Sequence, residues 1–323
     1  MGELNVVSTQ VYGFLLTQNF ALMSFASASE PLRAANLIAQ SPLYTARSFS
    51  VDGRPVPSSS GFAIPCDILK EGTNCHTVFV VAGGNPSDWR KAKATYPVLR
   101  RLARQGVRIG GISSGSYLLA EAGLLVGRDF TIHWEHAPAL REAFPQLTPR
   151  HARYVLDGDR ITCGGGIAPL DMMHALISER MGQAFSRRVS DWFLHTAVAE
   201  PTAPQRGSVA ERFGTHHPAL LAALEKMETT IENPLSRQAM ARLVGLSPRH
   251  LDRLFTMKLK RGFLATYRRI RLQHAHKLLD QSPMSISEIA FATGFSNASH
   301  FSRVFQDHFG IRPKRARMKG TRD

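Results

Sequence analysis

The sequence predicts a mainly parallel α/β domain with helices on both sheet faces, followed by an all-α domain that carries two helix-turn-helix units. Three observations predict this. Short apolar runs alternate with helical patterns along the first part of the chain. A helix-turn-helix pattern is written twice in the last third. Positive charge collects in that same third.

The alternation comes first. Residues 11–16, 78–82, 107–112 and 160–163 read as buried strands. Residues 29–39, 91–105, 114–122 and 169–181 read as the helices among them. A chain of 323 residues is long for a single core, so two domains are expected. The boundaries are read as 1–199 for the α/β domain, 200–217 for a linker and 218–323 for the helical domain. The linker reading rests on Pro201, Pro204, Gly207 and Gly214, with Pro218 just beyond, and on the lack of any periodicity.

Composition excludes several classes. Hydrophobic residues make up 43%, and no apolar run reaches membrane-spanning length. Residues 1–10 lack the basic-then-apolar layout of a secretory leader, so a cytoplasmic protein is expected. Cys66, Cys75 and Cys163 form no C-x-x-C pair. A disulfide framework or cysteine zinc site is not expected, and the three read as small buried hydrophobes. No metal or cofactor is expected.

Charge is unevenly spread. The net charge is +15. Residues 216–323 hold 19 Lys+Arg against 8 Asp+Glu, whereas residues 1–215 hold 21 against 17. A basic domain joined to a near-neutral one implies a polyanionic partner, most often nucleic acid.

The repeat sharpens that implication. PLSRQAMARLVGLS, from Pro234, aligns without a gap on PMSISEIAFATGFS, from Pro283. Ser236 and Ser285 stand where helix N-caps belong. Ala241 and Ala290 are small enough for a second helix to pack closely. Gly245 and Gly294 suit a left-handed turn. Ser247 and Ser296 then read as caps of the second helices, expected over 248–259 and 297–309. Leu251, Leu254 and Phe255 form the apolar stripe of the first, which leaves Arg249, His250, Arg253 and Lys258 outside. Phe301, Val304, Phe305 and Phe309 do so in the second, which leaves Asn297, Ser299, His300 and Arg303. Such side chains reach base edges and phosphates when the helix lies in a major groove. A helix over 264–279, with Arg268, Arg269, Arg271, His274 and Lys277, would space the two units.

This stretch resembles the DNA-binding domain of the AraC/XylS family of bacterial activators. The likeness runs from about Ala219 to Arg317 and is most specific over SISEIAFATGFSNASHFSRVFQDHFGIRP. The resemblance implies two recognition helices in successive major grooves, with the first unit, and hence Arg249, His250 and Arg253, as the main base reader. Promoter DNA and RNA polymerase are the implied partners, and activation is the family's commoner behaviour.

The larger domain carries GGISSGSYLLAEAGLLVGRDFTIHWEH, from Gly110. An apolar strand ends and a helix begins at Ser113, with Gly111 and Gly115 on either side. This is the layout of a nucleophile elbow and a G-x-S-x-G match. Three readings compete: a catalytic serine, a ligand-binding corner, and a domain that only dimerises. A hydrolase needs an oxyanion hole and a base, yet His133 follows closely and no H-G-G-G segment precedes.

The stretch also resembles the PfpI-type, class I glutamine-amidotransferase-like superfamily, whose elbow holds a cysteine, and in particular its GlxA-like regulator branch fused to AraC domains. That implies a flavodoxin-like sheet. Ser113 replaces the cysteine, and Ser24 stands where the superfamily tends to place an acid. A serine hydroxyl is a far poorer nucleophile than a thiolate. These departures favour lost catalysis and kept binding, with a hydrolase or amidase tethered to DNA as the alternative. The corner's walls are expected from Ser113, Ser114, Gly83, Gly84, Asn85, His133, Trp134 and Glu135, with Ser24 and Glu30 from the first helix. Backbone amides at Gly83 and Gly84 would approach a carboxylate. Trp134, with Glu30 or Glu135, would suit a cationic amine. A core role for Trp134 and a structural role for His133 are the alternatives. SASEPLRAAN and TIHWEH resemble the subgroup responding to arginine, glycine betaine or carnitine, so the implied effector is a small amine-bearing carboxylate. A homodimer is a further implication of the resemblance.

Overall fold

The computed structural model describes residues 8–319 except Glu71. Most of the stretch read for a leader, residues 1–7, therefore lies outside the described residues. The chain divides into two units, 1–205 and 206–323.

The first unit runs β1 (Gln10–Leu16), α1 (Leu22–Ala39), β2 (Tyr44–Ser50), the short β3 (Val56–Pro57), β4 (Ala63–Ile64) and β5 (Asp67–Ile68), then β6 (Thr77–Ala82). A 3₁₀ turn (Arg90–Thr95) leads into α2 (Tyr96–Arg104), β7 (Arg108–Ser113), α3 (Gly115–Glu121), α4 (Ala137–Ala143), β8 (Tyr154–Asp157), β9 (Arg160–Cys163), α5 (Ala168–Met181) and α6 (Gln183–Trp192). The sheet order is β5-β2-β1-β6-β7-β9-β8, and only β8 pairs antiparallel. Strands β2-β1-β6-β7-β9 thus follow the doubly wound order in which the topology reverses between β1 and β6.

Strand β6 shows why the sequence folds this way. All of TVFVVA is buried, as a central parallel strand requires. Val78, Val80 and Ala82 enter one core with Leu99, Leu102, Leu118 and Leu119 from α2 and α3. Phe79 and Val81 enter the other with Leu32, Met172 and Ile177 from α1 and α5. Each such side chain contributes about 2 kcal/mol of burial.

Two helix boundaries differ from expectation. Helix α1 begins at Leu22, not at 29, and runs through Pro31. Its buried face, Ser24, Ser27, Ala28, Pro31, Leu32 and Ala35, holds it to the sheet despite the lost amide. The helix expected over 91–105 is split, because Pro97 starts α2 with a fixed φ and no donor.

The second unit is all helix: α7 (Val209–Phe213), α8 (Pro218–Thr229), α9 (Arg237–Leu243), α10 (Pro248–Leu259), α11 (Phe263–Gln281), α12 (Ile286–Ala292), α13 (Ala298–Phe309) and α14 (Pro313–Lys319). It has two cores. Leu220, Met240, Leu251, Phe255 and Phe263 belong to the first. Leu272, Leu278, Ile289, Phe301 and Phe305 belong to the second. Helix α11 supplies both, changing core between Ile270 and Leu272.

The stretch 200–217, expected as a linker, is more ordered than that. Gln205 is fixed in the first unit by four hydrogen bonds. Ser208 and Glu211 form a capping box for α7, whose Val209 and Phe213 pack on the first helical core. No helix among the described residues is long and apolar enough to cross a membrane.

Candidate functional site

The elbow is built by a backbone reversal. Strand β7 ends at Ser113 and α3 starts at Gly115. Ser113 takes φ 59°, a left-handed conformation that costs a non-glycine residue roughly 1–2 kcal/mol. It is held because the turn has no slack. A Cβ on Gly115 would sit 1.9 Å from the Val80 carbonyl oxygen.

Ser24 and Ser113 do meet. A Cβ on Gly165 would lie 2.7 Å from Ser113 Cβ and 3.0 Å from Ser24 Oγ, so both serines press on this glycine. The Gly166 amide donates to Ser24 Oγ at 2.8 Å. Both serines are buried, and Ser114 Oγ is buried without a hydrogen-bond partner among the described residues. These groups stand at the carboxyl ends of β1, β6, β7 and β9, beside the reversal in strand order, where ligands of open α/β sheets bind.

The other expected walls divide. The His133 amide donates to the Ser113 carbonyl at 3.4 Å, and the His133 and Trp134 rings lie 5.4 Å apart, so both stand beside the elbow. The Glu135 amide donates to His133 Nδ1 at 3.3 Å, which helps to orient the ring. Gly83 is buried, and its carbonyl accepts from Trp89 Nε1 at 2.5 Å. The Asn85 amide donates to the Asp88 carboxylate at 3.0 Å. The loop therefore already holds an acid of its own chain beside Gly84, which disfavours a carboxylate there. Glu30 is not brought in, since Arg33 takes its carboxylate at 2.6 Å on the outer surface of α1.

Sequence reasoning missed the run Gly164, Gly165 and Gly166. Three glycines directly after strand β9, at the carboxyl edge, were the available signal. It also missed Gln205, whose amide lies against Gly164 and whose position inside a presumed linker carried no signal.

The cysteines have no part in this chemistry. All three are free. Burial pushes the Cys66 and Cys75 thiols up to about 11 and the Cys163 thiol up to about 12, so each stays protonated. No group of three metal-ligating side chains occurs among the described residues.

The helical unit presents the second site. In the first copy the Ser236 side chain accepts from the Ala239 amide, and in the second Ser285 and Glu288 form a capping box. Each turn has a left-handed glycine, with φ 69° at Gly245 and 73° at Gly294. The Leu246 amide bonds the Ala241 carbonyl, and Phe295 repeats the bond to Ala290. Ser247 caps α10. The expectation for Ser296 is corrected, because Asn297 caps α13 by accepting from the His300 amide at 2.7 Å. Asn297 therefore serves as the cap of α13, and its side chain is exposed.

That one-residue slip changes the internal alignment. The copies match at an offset of 49 through α9 and α12, and of 50 through α10 and α13. His250 then corresponds to His300, Arg253 to Arg303 and Arg249 to Ser299. All six are exposed, on the faces opposite Leu251, Phe255, Phe301 and Phe305. Lys258 is exposed in the last turn of α10, a place suited to phosphate. The His300 ring also packs edge-on to Phe295, with centroids 5.9 Å apart.

Arg271 on the spacer helix faces the second turn. It donates to the Thr293 carbonyl at 2.7 Å and stacks 4.2 Å over Phe295, so it buttresses the second turn. Tyr267 OH ties down the segment that leads into α9, donating to the Thr230 carbonyl at 2.7 Å and accepting from the Leu235 amide at 3.3 Å. With 19 residues, α11 is about 28 Å long, close to one turn of B-DNA.

Comparison with known proteins places both units. Residues 14–179 match the DJ-1/PfpI family and residues 240–319 match a helix-turn-helix domain. The HTH-type transcriptional regulator GlxA of Rhizobium meliloti is 65% identical, over 97% of each chain. The HTH-type transcriptional regulator GbdR of Pseudomonas aeruginosa is 37% identical, over 96% of this chain and 84% of that one. A crystal structure of an AraC family transcriptional regulator from Pseudomonas putida is similar at 25% identity and a TM-score of 0.53, covering 57% of this chain and 99% of that one. The chain belongs to the GlxA-like AraC-family transcription regulators, which join a DJ-1/PfpI domain to a DNA-binding helix-turn-helix domain and are not enzymes.

Proposed function

We propose that the elbow is the sensor of this regulator and binds a small amine-bearing carboxylate such as an amino acid, a betaine or carnitine. The observation that carries the reading is a strained corner without its nucleophile. Ser113 keeps φ 59°, with Ser24 in place of an acid. Strain of this kind persists where the surroundings enforce it for a purpose, and catalysis is no longer that purpose. The hydroxyls of Ser113 and Ser114 suit a carboxylate. The ring faces of His133 and Trp134 and the carboxylate of Asp88 suit a quaternary or protonated amine.

Occupancy would favour one of two states that differ in affinity for promoter DNA. Arg249, His250, Arg253, Ser299, His300 and Arg303 would meet bases and phosphates, and Lys258 phosphates. Homodimerisation through the first unit, a cytoplasmic setting and activation through RNA polymerase belong to the same reading. Thermal unfolding with arginine, glycine betaine and carnitine tests it. A ligand that binds only folded protein raises the midpoint. The reading expects a rise that Ser113→Trp abolishes. No rise with any of these compounds removes this effector class.

A further inference from the structure

The elbow and the end of the first unit are joined by a short chain of contacts. The His133 amide bonds the Ser113 carbonyl. The next amide, Trp134, donates to Gln205 Oε1 at 2.8 Å. Gln205 Nε2 lies 3.0 Å from Thr131 Oγ1, 3.0 Å from the Ile132 carbonyl and 2.5 Å from the Ala152 carbonyl. The same side chain lies flat on Gly164, where a Cβ would come within 2.6 Å of its amide carbon. The next residue, Gly165, presses on Ser113 and Ser24. Gln205 is thus tied to the elbow by two routes, the 131–134 loop and the glycine run. It is also the last residue of the first unit.

We propose that Gln205 is the latch that couples occupancy of the elbow to the DNA-binding unit. A ligand against Ser113 displaces either Gly165 or the His133–Trp134 backbone. Both movements reach the Gln205 amide, close to the point where the chain leaves the first unit. Only a neutral amide serves here, because it must accept from Trp134 and donate to oxygens at the same time. A carboxylate at this place would face Thr131, Ile132 and Ala152 oxygens without a proton to give. This inference rests on the elbow being the sensor.

The experiment uses the full chain and a duplex selected by it from a random-sequence pool. Affinity for that duplex is measured with and without glycine betaine, carnitine and arginine, alongside thermal unfolding with the same compounds. In Gln205→Ala and Gly164→Ala, with each compound at a concentration that saturates the variant, the ligand-induced change in DNA affinity, about tenfold for an ordinary coupling, should fall to less than twofold. An unchanged response in both variants overturns the latch. If no compound raises the midpoint of the intact chain, the sensor reading fails by itself. The latch is then judged without ligand, by combining Gln205→Ala with Ser113→Trp, or with Ser24→Leu should Ser113→Trp not fold. DNA affinities that fail to combine additively support coupling, and additive ones overturn it.

Discussion

The elbow and the two helix-turn-helix copies solve opposite problems. At the elbow, function is written in the backbone. Ser113 is buried and left-handed, Gly115 lies against the Val80 carbonyl, and Gly165 is pressed by two serines. Neither Gly115 nor Gly165 has room for a side chain. In the helical unit the helices are capped and repeated, and the proposed DNA contacts fall to exposed side chains. His250 and His300, or Arg253 and Arg303, are held in matching places by Phe255 and Phe305 on the reverse face. A corner proposed to bind a ligand in this way is one that few sequences can form. A base reader needs a rigid frame whose outer residues are free to vary.

That contrast can be broken in order of expected effect. Gly115→Ala should be the most damaging substitution, since a methyl 1.9 Å from a main-chain oxygen in the sheet cannot be relieved by a side-chain rotation. A loss of about 4 kcal/mol or more is expected in denaturant unfolding, the range of severe core strain. A loss below about 1 kcal/mol would mean that the turn is looser than described.

On the other side of the comparison, Arg253→Ala and Arg303→Ala should each weaken binding to a selected duplex by about 1–3 kcal/mol. Stability should stay within about 0.5 kcal/mol, because neither side chain enters a core. Weakened folding with unaltered DNA affinity would reverse their assignment. Ser285→Ala removes the capping box of α12 and should cost about 1 kcal/mol of stability without touching the exposed face of α13.

The smallest effect concerns pH. Asp280, by its hydrogen bond to His276, holds that imidazolium above its ordinary value, and the ring packs on Phe305 and Phe309. A raised folded-state value means that the pair stabilises fully below the unfolded histidine value, about 6.5, and that this is lost as pH rises through the folded value. Intact chain and Asp280→Asn should therefore differ in stability below about pH 6.5 and converge in alkaline solution. A difference that grows with pH would contradict the assignment.

Legibility in the sequence follows the same contrast. The helical repeat was readable because its turns need glycine and its caps need Ser or Asn, both local demands. What escaped was the slip from Ser296 to Asn297, since either residue caps equally well by composition. The elbow was readable from G-I-S-S-G and from the strand before it. Its partners were less so, because contacts such as Gly165 on Ser113 or Gln205 on Gly164 join residues far apart in the chain. Glu30 illustrates the limit: the sequence supplied an acid, but Arg33 one turn away decided where it points.

Ser113 is proposed to mark a site that binds its ligand and does not turn it over. Isothermal titration of the intact chain with glycine betaine, carnitine and arginine, with the recovered compound examined by mass spectrometry, tests it most directly. Saturable binding of one of these compounds is expected, lost in Ser113→Trp, with the compound recovered unchanged. Conversion of the compound by intact protein but not by Ser113→Ala, or the absence of binding by all three, would contradict it.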